Sequence, residues 1–362
     1  MKIVLFEDDP ETGPRLRLEI EKHLPKESSV VLFEASTSPK LKKIKLYEER
    51  LAEEMKSPKY RGATLWVTDR DLSRIQQYEG LSEAVISKVA LRYGAPLCKY
   101  ARGLVDDVLK RQRSWGDAQI VLESKDLSEL GERIAVVGKG FEEISNQLHN
   151  LMPGKKVRSG IRTPADVMAR LLGHPNLADR IALYGSGDQS MVVEILPFAN
   201  GPTRVAELKA RLPSFLGYWL YDSLLRFPGI LVNATAAASY LDIAVNQFAD
   251  EKVRAVFQSA LYHGPFADDR DPHWWRNDLD ELVHGAGEDT GRALANKKLS
   301  RRLRSCVDST TRKRAGFYCM VKKVPVSEEN SVGSISWFPP GADLARVRKD
   351  VYDQMGPWLG LF

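Results

Sequence analysis

The chain has 362 residues, 43% of them hydrophobic and 28% charged, with a formal net charge of +5. That length predicts two or three domains with packed cores, and the mildly basic balance permits nucleic acid or an acidic partner without requiring either. No run of about 18 apolar residues marks a membrane span, and Cys98, Cys306 and Cys319 lack the spacing of a disulfide framework or a CxxC zinc site.

The chain opens on an apolar strand, Lys2 to Phe6, whose end carries Glu7, Asp8 and Asp9 into one loop. Because acids follow at once, this start reads as a strand and not as a signal peptide, and the protein is expected in the cytoplasm. Adjacent carboxylates repel unless a positive group sits among them, so the cluster predicts a divalent metal. Further strands are expected near 29–34, 63–68, 95–100 and 118–123, alternating with helices at Arg15 to His23 and Lys40 to Met55. The third strand ends on Asp69, with Asp71 as its alternative, and the fifth is followed by Lys125. Ligands bind at the carboxyl edge of a parallel sheet. Glu7, Asp8 and Asp69 there would share one Mg2+, and Lys125 would pair with an oxyanion.

In order and residue type this half resembles the receiver domain of two-component response regulators, over about 150 of the 362 residues. Glu7 and Asp8 match the family's acidic pair, Asp69 its phospho-accepting aspartate and Lys125 its lysine. The resemblance implies a doubly wound, five-stranded flavodoxin-like sheet. It also implies Mg2+ held by Glu7, Asp8 and Asp69, phosphate transfer from a histidine kinase to Asp69, and charge balance from Lys125. The fourth strand departs from the pattern. Tyr100 stands where the family places Thr or Ser before Ala, and the stretch from Ser38 to Gly62 is longer than usual. The chain therefore reads either as a phospho-accepting receiver or as a degenerate one acting through constitutive contacts.

From Asp126 to Met152, Leu127, Leu130, Ile134, Val137, Phe141, Ile144, Leu148 and Leu151 step by three and four. This stripe is either a homodimer seam or the face of a helix packed on its own sheet. A linker at Met152 to Lys156 divides domain 1–152 from a mixed α+β domain, 153–362. There, Ile181 to Tyr184 and Met191 to Leu196 read as strands around a glycine turn, Tyr184 to Asp188. Val205 to Phe257 reads as mainly helical, and the tail from Gly316 returns to strands. Residues 235–257 loosely resemble a helix-turn-helix, although Asp250 and Glu251 on the second helix would repel phosphates.

Eight basic residues lie between Lys297 and Arg314; Lys297, Lys298, Arg301, Arg302 and Arg304 are candidate contacts to nucleic acid or an acidic partner. Trp274, Trp275, Trp337, Trp358 and Phe362 imply a packed core or an interface. The leading expectation is a signalling protein whose receiver-like domain controls a C-terminal interaction domain. The alternatives are a DNA-binding regulator and, last, a hydrolase using Cys319 with His263 or His273.

Overall fold

Strands covered on both faces need apolar residues on both faces, and the runs of the amino-terminal half have them. The computed structural model describes residues 1–36, 38–69, 72, 81–102, 120–151, 163–185, 202–333 and 335–359, without the side chains of 40, 42, 202–210 and 355–359. In it, β1 (Lys2–Phe6), β2 (Ser29–Leu32), β3 (Leu65–Asp69), β4 (Leu97–Ala101) and β5 (Ile120–Glu123) form one sheet. The order is β2-β1-β3-β4-β5 and every pairing is parallel. With its flanking helices this is an α/β sheet compatible with a flavodoxin-like fold. Strand order reverses between β1 and β3, so their carboxyl ends border the crevice where such sheets bind ligands.

Two compact units divide the chain. The described residues up to 102, 120–151 and 202–218 belong to the first, and 163–185 and 219–359 to the second. Residues 202–218, assigned beyond the boundary expected at 152–153, thus fold with the sheet. The contacts explain why. Ser214 Oγ donates to the Gly94 carbonyl at 2.5 Å, and the Tyr218 hydroxyl serves both backbone groups of Leu97.

The apolar stripe is covered within the chain. On α5 (Leu127–Leu151), Leu130, Ile134, Val137, Phe141, Ile144 and Leu148 are all buried. Two glycines let the helix settle. A Cβ at Gly131 would lie 2.7 Å from Cβ of Glu19 on α1 (Thr12–Lys22), and one at Gly138 would lie 3.1 Å from Ile3 of β1. Phe141 packs edge-on against Tyr218, ring centres 5.6 Å apart. The stripe is therefore a packing face, and the motive for a homodimer seam is gone. The single helix expected from Lys40 to Met55 is two, α2 (Pro39–Lys42) and α3 (Tyr47–Glu54). The break falls at Lys43 to Leu46, in a stretch of sequence with four lysines from Lys40 to Lys45.

In the second unit, Ile181 to Tyr184 is no strand. Ala178–Ala182 is a helix, and Tyr184 follows it as a fully buried pin. Its hydroxyl accepts from the Ile230 N–H at 3.0 Å and donates to the Phe227 carbonyl at 3.3 Å. The core gathers around a short helix, Ala234–Tyr240, whose Ala236, Ala237 and Ala238 are buried beside Phe248, Phe257 and Trp274. Small residues allow this close packing. The second helix of the suggested helix-turn-helix is broken into Val245–Phe248 and Glu251–Ala255, where the Asp250 side chain accepts from the Lys252 N–H and starts a new turn. Strands Phe317–Cys319, Val324–Val326, Ser331–Val332 and Ala345–Arg348 make a four-stranded mixed sheet. Among the described residues no helix is long and apolar enough to cross a membrane. Asp71, the linker at 152–156, the glycine turn beyond Gly185, the strand at 191–196 and Phe362 lie outside the described residues.

Candidate functional site

Side chains alternate across a strand, so register decides which groups share a face. Phe6 pairs with Thr68, Asp69 with Tyr100, and Tyr100 with Leu122. One residue beyond Phe6, Glu7 continues the same row. Glu7, Asp69 and Tyr100 therefore stand side by side at the carboxyl edge, and all three are buried.

The row is wired by hydrogen bonds. Tyr100 donates its phenolic proton to Glu7 Oε2, and the Asp9 N–H donates to Glu7 Oε1 at 2.9 Å. Both Glu7 oxygens are thus engaged. Burial first, then the Glu7 charge and hydrogen bond, push the Tyr100 phenol well above its ordinary range, so it stays protonated as a donor. Asp9 Oδ1 accepts from the backbone N–H groups of Thr12 and Glu11 at 2.9 and 3.0 Å, tying the loop to the start of α1. Those bonds, the Thr12 one foremost, hold the Asp9 carboxyl below the usual range, aided by Arg102.

Arg102 supplies the positive charge the acids require. It lies two residues after Tyr100, hence on the same side by strand alternation. Its guanidinium donates to Thr12 Oγ1 at 2.7 Å and stands 3.9 Å from Oδ2 of both Asp9 and Asp69. Sequence reasoning missed this residue, although an arginine at that offset from Tyr100 is a readable signal. Asp8 is half-buried beside the row. Lys125 sits exposed in the loop after β5, with no hydrogen bond or ion pair among the described residues. The neighbouring Ser124 turns instead to Glu129, at 2.7 Å. On the other face Lys99 is buried and pairs with Glu83 at the start of helix Glu83–Tyr93.

Mg2+ demands several oxygens at about 2.0–2.1 Å in near-octahedral array. Among the described residues no three Asp, Glu, His or Cys side chains converge in that way. With Glu7 committed to Tyr100 and Asp9, and a guanidinium between Asp9 and Asp69, the row does not fit the three-carboxylate site expected from sequence.

The other candidates resolve as follows. Of the basic run, Lys297 pairs with Glu288 at 2.9 Å, Arg301 with Asp250 at 2.8 Å, and Arg304 donates to Asn246 at 3.2 Å. Lys298, Arg302 and Arg312 are exposed, with no ion-pair partner among the described residues. Two buried aspartates hold the irregular segment that carries them. Asp242 accepts from Ser305 Oγ and from the Cys306 N–H and pairs with Arg292 at 2.9 Å. Asp308 accepts from Thr310, Ser327 and Asn330.

Cys319 is fully buried, its Sγ facing the N–H groups of Lys322 and Arg348 at 3.4 Å each. His273 directs both ring nitrogens at backbone carbonyls, of Asp271 and Leu225, and His263 is exposed. Among the described residues neither histidine is hydrogen-bonded to the Cys319 thiol. No protein-family model matches the chain, and neither does any curated protein.

Proposed function

We propose that the chain is a signalling protein whose first unit is a receiver-like domain of degenerate type, controlling a second unit that binds a macromolecule. The observation that carries this reading is the hydrogen bond from Tyr100 to Glu7. A receiver reads its phosphate with a small hydroxyl at the end of the fourth strand. Here that position holds a buried phenol already spent on Glu7. The acid row supports the receiver likeness, since Glu7, Asp69 and Tyr100 share one edge at the switch between β1 and β3. The exposed Lys125 supports degeneracy, because among the described residues no hydrogen bond or ion pair holds its amine. Such a unit signals through the state of its surface and a signalling-protein partner, not through turnover at Asp69.

A specific observation favours nucleic acid as the ligand of the second unit. Asp242 and Asp308 pin the segment between Ser300 and Arg314, so that Arg302 and Arg312 are presented from a rigid loop. Preorganised cations lose little on binding phosphates.

Beryllofluoride, which mimics an acyl phosphate, tests the degenerate reading. Backbone amide NMR spectra of the full chain should be unchanged by beryllofluoride with Mg2+. Saturable shifts centred on Asp69 and Tyr100 would restore the phospho-accepting reading.

A further inference from the structure

We propose that the first unit carries, at the amino edge of its sheet and so opposite the row of acids, a binding site for a small planar aromatic compound that bears a carboxylate or a phosphate. The site does not depend on the receiver-like reading. A cavity of about 730 Å³ lies there, lined from the segments 55–66, 93–96 and 141–146 and by Pro213. That volume falls within the roughly 300–1,000 Å³ of small-ligand pockets. All four stretches belong to the first compact unit. Tyr60 and Trp66 are buried in the wall, and the exposed Tyr93 stands with its ring centre 6.5 Å from that of Trp66, tilted by 33°. Two of these rings are fixed by their hydroxyls. That of Tyr60 accepts from the Glu34 N–H at 3.0 Å and donates to the Glu34 carbonyl at 3.1 Å, and that of Tyr93 donates to the Ala52 carbonyl at 2.9 Å. With the phenols so occupied, the walls offer ring surface, which suits a flat apolar body. Walls fixed in advance lose little on binding.

Charge selects the other half of the ligand. Lys56 and Arg61 line the same cavity. Lys56 pairs with Glu53 at 2.7 Å, whereas Arg61 is exposed with no ion-pair partner among the described residues. The backbone that carries Arg61 is held. Lys2 Nζ donates to the carbonyls of Pro58, Lys59 and Arg61 at 3.3, 3.3 and 3.1 Å, and the Arg61 N–H donates to the Ser57 carbonyl at 2.8 Å. Glu142, an acid in the wall, pairs with the Met1 amine at 2.9 Å. An aromatic cavity with a guanidinium at its rim fits an aromatic anion, because the planar fork of arginine matches a carboxylate or a phosphate.

The test is titration of the full chain, followed by backbone amide NMR, with indole-3-acetate, adenosine monophosphate, indole and inorganic phosphate. Indole-3-acetate or the nucleotide should bind with a dissociation constant below about 1 mM, shifting the amides of Gly62, Ala63, Gly94 and Asn146; which of the two binds tells a carboxylate from a phosphate ligand. Indole and phosphate, each with half of the chemistry, should bind at least about tenfold more weakly. Arg61→Glu should weaken the anionic probe at least about tenfold and leave indole unchanged, and Arg61→Lys should keep most of the affinity. Should Arg61→Glu alter the urea midpoint, Arg61→Gln takes its place in the same comparison. No saturable binding of either anionic probe, shifts centred on other amides, or an affinity indifferent to Arg61 overturns the proposal.

Discussion

Tyr100 and Glu7, 93 residues apart in the chain, are joined by a hydrogen bond from phenol to carboxylate at the carboxyl edge of the sheet. Both groups are buried, and a buried acceptor that loses its donor costs its full desolvation. Tyr100→Phe should therefore destabilise the first unit by about 1–3 kcal/mol, read as a lower urea midpoint with an unchanged slope. An unaltered midpoint would show that the bond contributes nothing to the fold.

The crossing of α1 and α5 depends on a missing side chain. A Cβ on Gly131 would meet Cβ of Glu19 at 2.7 Å and the backbone carbon of Glu19 at 2.8 Å, which rotamer changes cannot relieve. Gly131→Ala should cost about 1–3 kcal/mol through overpacking. Gly285→Ala is the control. Gly285 closes helix Arg276–Gly285 with nothing within 4 Å of an added Cβ, so alanine there should be neutral or slightly stabilising. Equal effects at the two sites would contradict the packing account.

The apolar stripe of α5 makes a further demand. Ile134 is fully exposed to other side chains and not to solvent, at 0% accessibility. Ile134→Lys would bury an unpaired charge. It should abolish cooperative unfolding of the first unit, seen by circular dichroism, and not convert a folded dimer into a folded monomer. Sedimentation of Ile134→Lys as a well-folded, smaller species would reinstate the seam.

How far the sequence was legible follows from the physics of each segment. The five strands of the sheet fall within two or three residues of their expected places, because β-branched and aromatic runs bounded by turn residues leave little choice of period. The row of Glu7, Asp69 and Tyr100 was legible as strand ends. Its wiring was not, since Arg102 acquires meaning only once register sets it beside Asp69. Lys125 was legible by its place after β5, whereas the bond of its neighbour Ser124 to Glu129 depends on the turn into the next helix and was not. In the second unit Ile181 to Tyr184 misled because a short apolar run has no period of its own. Tertiary contacts of Tyr184 with Ile230 and Phe227 settled its role.

Acid should find the second unit through Asp308. Burial by itself raises its carboxyl. The Ser327 N–H, the Asn330 amide, the Thr310 N–H and the Ser327 hydroxyl outweigh that and leave it below the usual aspartate range. A depressed folded value means the stabilisation is complete above the unfolded value, about 3.9, and is lost as pH falls through the folded one. Urea midpoints should decline below about pH 4, and less steeply in Asp308→Asn. Equal slopes in the two proteins would place the acid sensitivity elsewhere.

If the rigid basic segment meets nucleic acid, the free and the paired cations should behave differently. Arg302→Glu and Arg312→Glu should weaken binding to a short labelled duplex and flatten its salt dependence. Arg301→Ala should act on stability by releasing Asp250. For this exposed pair the loss should be small, about 0–1 kcal/mol. Fluorescence anisotropy against salt separates the two, and absence of binding at low salt would turn the search to an acidic protein partner.

The most direct test of the central claim is intact-mass spectrometry of the full chain after incubation with acetyl phosphate and Mg2+, with Asp69→Asn alongside. A degenerate receiver should show no phosphoryl adduct in either protein. An adduct on the wild type that is absent from Asp69→Asn would contradict the account, showing that Asp69 accepts phosphate despite the bond between Tyr100 and Glu7.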